Sequence, residues 1–150
     1  MEMAVEIGRK GMRSGFGGPF GAVVVKDNEI ISIAHNRVIE LNDPTAHAEV
    51  EAIRKACKHL NSYQLTGSTL YTSCEPCPMC LGAIYWARPD KVVFGCTRTD
   101  AAEIGFDDDF IYREINTPFH ERKIPLIPAY RELALDLFEE WEKMDKPFLY

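Results

Sequence analysis

Ser68-Thr-Leu-Tyr-Thr-Ser-Cys74-Glu-Pro-Cys77-Pro-Met-Cys80-Leu-Gly-Ala-Ile-Tyr-Trp86-Ala-Arg88-Pro-Asp-Lys91-Val-Val-Phe-Gly95 is the stretch whose reading decides the fold. Ser68 to Ser73 predicts a strand. Pro78 opens a helix that runs to about Ala87 and is closed by Arg88-Pro89, since a residue before proline is driven out of the helical region. Lys91 to Gly95 predicts a second strand. With the helix as their crossover, the two strands run parallel.

Upstream, Phe20 to Lys26 and Glu29 to Ala34 are apolar, β-branched runs separated by Asp27-Asn28. That spacing predicts a two-residue hairpin. Asp43-Pro44 reads as an N-cap and first helical residue. Behind it, Ala46, Val50, Ile53, Cys57 and Leu60 share one helix face. Residues 3–13 carry a weaker helical pattern with Gly8 and Gly11 inside it. Downstream, Asp107 to Asn116 and Tyr130 to Met144 predict helices. Ile124 to Ile127 predicts a fifth strand despite Pro125, and Lys146 to Tyr150 is a short tail. The order ββαβαβ, followed by helices, predicts a three-layer α/β/α sandwich on a central mixed five-stranded sheet.

The 150 residues fit one domain, 1–150, large enough to bury a core, and 46% of them are hydrophobic. The formal net charge is −6, which argues against a partner held mainly through phosphates. No apolar run approaches a membrane span, and Met1 to Ser14 is too charged for a signal peptide. Five cysteines, three of them crowded between Cys74 and Cys80, indicate a metal or redox site in a cytoplasmic protein.

The chemistry lies in His47-Ala-Glu49 combined with Pro76-Cys77-Pro-Met-Cys80. Zinc favours imidazole and thiolate, and three protein ligands leave a fourth position for water. His47, Cys77 and Cys80 make such a set, with the cysteines on one face of a helix start. Glu49, which is not a ligand in this arrangement, is placed to carry a proton; H-x-E followed by P-C-x-x-C is the pattern of zinc nucleobase deaminases. Residues two apart on a regular helix point about 200° from each other. His47 and Glu49 therefore converge only if His47 sits at the helix start. A Cys-x-x-Cys pair alone also fits a structural zinc knuckle or a redox pair, and Cys74 could close the site as a fourth ligand. An iron–sulfur run would want a cysteine near position 84, which is Ile84. Cys57 and Cys96 read as inert core thiols.

The whole pattern resembles the cytidine-deaminase-like superfamily, and within it the small bacterial zinc-dependent guanine deaminases. The residues carrying the resemblance are Gly17-Gly-Pro-Phe-Gly-Ala22, Asn42-Asp-Pro-Thr-Ala-His-Ala-Glu49, Tyr71 through Pro89, and Asp100-Ala-Ala-Glu-Ile-Gly-Phe-Asp-Asp108. It implies hydrolysis of guanine to xanthine and ammonia, with zinc on His47, Cys77 and Cys80. Zinc-bound hydroxide would attack the amine-bearing carbon while Glu49 shuttles the proton. By position it assigns Asp108 to the leaving amine, and Phe20, Asn36, the Ala48 backbone, Trp86 and Tyr150 to the substrate. It also implies a homodimer, with the 131–150 helix and tail exchanged so that Tyr150 covers the partner's site. Sequence alone does not select Asp108 over Asp107 or Asp109. Two competing readings stand beside guanine. One is another deaminase of this fold, acting on cytosine, a triazine or tRNA adenosine. The other is a non-enzymatic zinc module. The acidic stretch Glu132 to Glu142 disfavours RNA.

Overall fold

In the computed structural model, which describes residues 1–145, Asp27 and Asn28 both take positive φ, 51° and 62°. This is the turn whose twist matches paired strands. It joins β1 (Gly21–Lys26) to β2 (Glu29–His35), with Lys26 opposite Glu29 and a bulge at Val24/Val25. The remaining elements are α1 (Glu2–Arg13), α2 (Val38–Leu41), α3 (Ala48–Leu60), β3 (Ser68–Cys74), α4 (Pro78–Ala87), β4 (Lys91–Cys96), α5 (Arg98–Glu103), α6 (Asp109–Asn116) and α7 (Arg131–Lys143). β3 is antiparallel to β1 and parallel to β4, giving a mixed sheet in the order β2-β1-β3-β4. The chain divides into two compact units, Met1–Asp109 and the residues from Phe110 onward.

Alternation along β1 assigns the layers of the first unit. Ala22 and Val24 pack with Ala48, Ala52, Ile53 and Ala56 of α3 and with Ile84 and Ala87 of α4. On the other face, a Cβ added to Gly21 would come within 2.0 Å of the Ala4 carbonyl oxygen, and one added to Gly8 within 2.9 Å of the Gly21 nitrogen. α1 thus lies backbone-to-backbone on β1, which only glycines permit. Gly8 weakens a helix by propensity and is required by packing.

Two expectations are corrected. The sheet has four strands among the described residues, not five. Ile124 to Ile127 is irregular because Pro125 and Pro128 have no backbone N–H to donate, and the Leu126 N–H bonds the Phe119 carbonyl instead. Helix α3 begins at Ala48, four residues after Pro44. The Asp43 carboxylate accepts from the Thr45 N–H (2.8 Å) and hydroxyl (2.7 Å), closing a local turn in place of a helix cap.

Candidate active site

The late start of α3 makes His47 its N-cap, with extended ψ of 155°. The imidazole therefore folds over the helix end while Glu49 lies in the first turn behind it. Cys77 is in turn the N-cap of α4. Its Sγ accepts the Cys80 N–H at 3.5 Å, and Pro78 takes the position where no donor is needed. The two helix starts meet. His47 Nδ1 lies 3.5 Å from Cys77 Sγ and 3.6 Å from Cys80 Sγ.

These separations test the fit of a zinc ion. Bond lengths of about 2.3 Å to sulfur and about 2.0–2.1 Å to nitrogen, at tetrahedral angles, put the donors roughly 3.6 Å apart. Both imidazole-to-thiol separations match that spacing, and the three donors lie within 4.8 Å of one another. Cys74 stands outside it: its thiol faces the Thr97 carbonyl at 3.6 Å, and burial pushes its pKa up to about 11. The hydrogen bond from the Cys80 thiol, then His47, holds the Cys77 thiol far below the ordinary range. Cys80 is raised by that same bond and by burial. His47 is raised by its bond to Cys77.

Glu49 is 5% exposed, and burial raises its carboxyl above the ordinary value. Its Oε1 accepts the Thr72 hydroxyl at 2.9 Å, and its Oε2 lies 3.5 Å from Cys80 Sγ. Beside this group opens a cavity of about 320 Å³, within the range of small-molecule sites. His47, Glu49 and Cys77 line it together with Phe20, Asn36, Asp107 and Asp108. Asn36 Oδ1 accepts the Gly18 and Val38 N–H groups at 3.3 and 3.2 Å, which turns the amide NH₂ toward the cavity. Gly17 makes this possible, since a Cβ there would come 2.1 Å from Asn36 Oδ1. Burial raises the Asp108 carboxyl, and Cys77 adds to the shift.

Ala48 is the first residue of α3, so its N–H has no carbonyl acceptor within the helix. Trp86 is exposed on α4 and is not among the cavity-lining residues; Tyr150 lies outside the described residues. Cys96 is exposed, against the expectation of a core thiol. Sequence reasoning missed Phe106, which meets Phe20 edge-on with ring centres 4.9 Å apart, and also Glu75 and Arg98 on the cavity wall. Phe106 and Glu75 lie inside stretches already singled out, between Asp100 and Asp108 and between Cys74 and Cys77, and Arg98 lies inside the Thr97-x-x-Asp100 capping box that starts α5, but nothing in those stretches points these three side chains at the cavity.

Residues 1–96 match the cytidine and deoxycytidylate deaminase zinc-binding region. The chain belongs to this deaminase family. It is 57% identical over 141 residues to the guanine deaminase of Bacillus subtilis (strain 168), covering 94% of this chain and 90% of that one. The X-ray structure of the B. subtilis guanine deaminase superposes with a TM-score of 0.97 at 55% identity, over 99% of this chain and 95% of that one. A tRNA-specific adenosine deaminase of Aquifex aeolicus (strain VF5) is 55% identical over 76 residues, 51% of this chain and 50% of that one. The deaminase family fixes zinc as the ion for which the His47, Cys77 and Cys80 donor set is suited.

Proposed function

We propose that this deaminase-family protein hydrolyses guanine to xanthine and ammonia, with zinc held by His47, Cys77 and Cys80. The observation that carries the substrate is the reach of the likeness. Identity to a guanine deaminase runs through 94% of the chain, whereas the similar identity to a tRNA-specific adenosine deaminase covers 51%.

Zinc bound at this site supplies Lewis acidity that brings the pKa of water near ~7. In this reading the chain's residues do the rest. Phe20, with Phe106 against its edge, packs on the flat ring. Asn36 Nδ2 and the Ala48 N–H donate to acceptors of the base, so the ring lies with its amine-bearing carbon toward His47, Cys77 and Cys80. Glu49 Oε2 accepts a proton from the attacking water and delivers it to the adjacent ring nitrogen. Asp108 attends the departing amine. The remaining proton of the added water passes from the new hydroxyl to the amine, the carbon–nitrogen bond breaks as the carbon–oxygen bond becomes a carbonyl, and ammonia leaves.

Ammonia release measured side by side on guanine, adenine, cytosine, cytidine, guanosine and a tRNA anticodon hairpin tests the substrate. Guanine should exceed the others in kcat/KM by at least ~100-fold, the discrimination of a site whose buried polar groups must all be matched. Release mainly from another base overturns the substrate. Silence on all six with zinc bound favours the non-enzymatic module.

The segment from Arg131 we assign to contact with a second copy of the chain. α7 buries none of its residues, and Leu133 and Leu137, one turn apart, are about two-thirds exposed at 70% and 67%. A helix with an unburied apolar face needs another surface. A homodimer with exchanged C-terminal segments would bring Tyr150 over the partner's cavity. Deleting Phe148 to Tyr150 should lower kcat/KM about tenfold, the scale of one lost aromatic contact, with zinc content unchanged. Unaltered kinetics would sink the cap. No described helix is long and apolar enough to cross a membrane, and all five cysteines are unpaired. Free thiols suit the reducing cytoplasm, where we place the enzyme.

A further inference from the structure

We propose that Thr72 is a positioning residue for proton transfer: its hydroxyl fixes which oxygen of Glu49 faces the reacting centre. This rests on the guanine deaminase reading above. On β3, Ser68, Leu70, Thr72 and Cys74 alternate inward, and Thr72 is fully buried. A valine would fill the same shape there. A buried hydroxyl is costly unless it is paired, and this one pairs with Glu49 Oε1 at 2.9 Å. An ionised carboxylate only accepts, so the hydroxyl is the donor.

The bond distinguishes the two oxygens. Oε1 is tied to the sheet, and Oε2 is left 3.5 Å from Cys80 Sγ, on the metal-ligand side. A glutamate has three side-chain torsions, and a proton carrier must hold one oxygen within hydrogen-bond reach of both water and base. With Oε1 held by the Thr72 hydroxyl, Oε2 is the oxygen left to do the transfer.

The test compares Thr72→Val and Thr72→Ala, which lack the hydroxyl, with Thr72→Ser, which keeps it. Both variants without the hydroxyl should lose about 10- to 100-fold in kcat for guanine, the factor for a hydrogen bond to a charged group, with KM and zinc content unchanged. Ser should restore most of the rate. In a Glu49→Gln background, Thr72→Val should cost less than about threefold, because residues acting as a unit are not additive. Independently of turnover, the infrared carboxylate stretch of Glu49, isolated by subtracting the Glu49→Gln spectrum, should shift in Thr72→Val and Thr72→Ala and stay in place in Thr72→Ser. Wild-type rates in both variants without the hydroxyl, equal losses in both backgrounds, or an unmoved infrared band overturns the proposal. Absence of guanine turnover in the unaltered protein defeats the functional reading instead, and the infrared comparison still decides the role of Thr72.

Discussion

Glu49→Gln should lower kcat on guanine by about 10³-fold, within the ~10²–10⁴ range of a lost general acid–base, while the protein keeps its full zinc content. The substitution preserves shape in a side chain that is 5% exposed, so packing is retained. The amide oxygen of Gln can still accept the Thr72 hydroxyl, which isolates the lost proton-carrying capacity from any loss of anchoring. Glu49 is not one of the three grouped metal donors, so zinc content should stay level. KM should move by a few-fold at most, since the carboxylate acts chiefly in the transition state. Steady-state kinetics together with metal analysis on the same preparation makes the measurement. Turnover within tenfold of the unaltered protein would remove Glu49 from the mechanism. A purely structural zinc module would have no turnover to lose.

Local chemistry made much of the first unit legible. Asp27-Asn28 tolerates positive φ and pins the hairpin, and Pro78 with Arg88-Pro89 brackets α4 within its helical bounds. What escaped depended on competition between local bonds or on distant packing. Asp43 had two possible partners, a helix start or Thr45, and only the assembled chain shows that Thr45 wins. The apolar residues Ile124, Leu126 and Ile127 have strand composition, but the interleaved prolines deny them a ladder. Gly8 lowers helix propensity, and its reason, the contact with Gly21, crosses from one layer to another.

The candidate site divides the same way. His47, Glu49, Cys77 and Cys80 could be read because each fragment is a short motif at a helix start, where cap geometry turns sequence spacing into convergence. The Asn36 position came only from family resemblance, yet its orientation has a local cause in the Gly18 and Val38 donors. Among the three aspartates, the cavity reaches Asp107 and Asp108 and not Asp109. The place of Phe106 and Arg98 on the cavity wall was not legible, because the chain beyond β4 brings them there along a path no periodicity encodes. Thr72 reads as an ordinary inward strand residue, and only its distance to Glu49 marks it out.

The second large effect is that of the metal. Cys77→Ala removes both a thiol of the His47, Cys77 and Cys80 group that we propose holds zinc and the acceptor that caps α4, so it should bind no zinc and release no ammonia. Loss of an ion present at ~1,000 times its dissociation constant forfeits ~4 kcal/mol of stability, which for a chain of this size lowers Tm on the order of 10 °C. The most direct test is therefore to strip the unaltered protein of metal, add zinc in steps, and follow xanthine and ammonia formed from guanine. The account predicts equal amounts of the two products and a rate that rises with zinc and levels off at one ion per chain. Guanine left intact with one zinc bound, or xanthine formed at full rate without the metal, would contradict it.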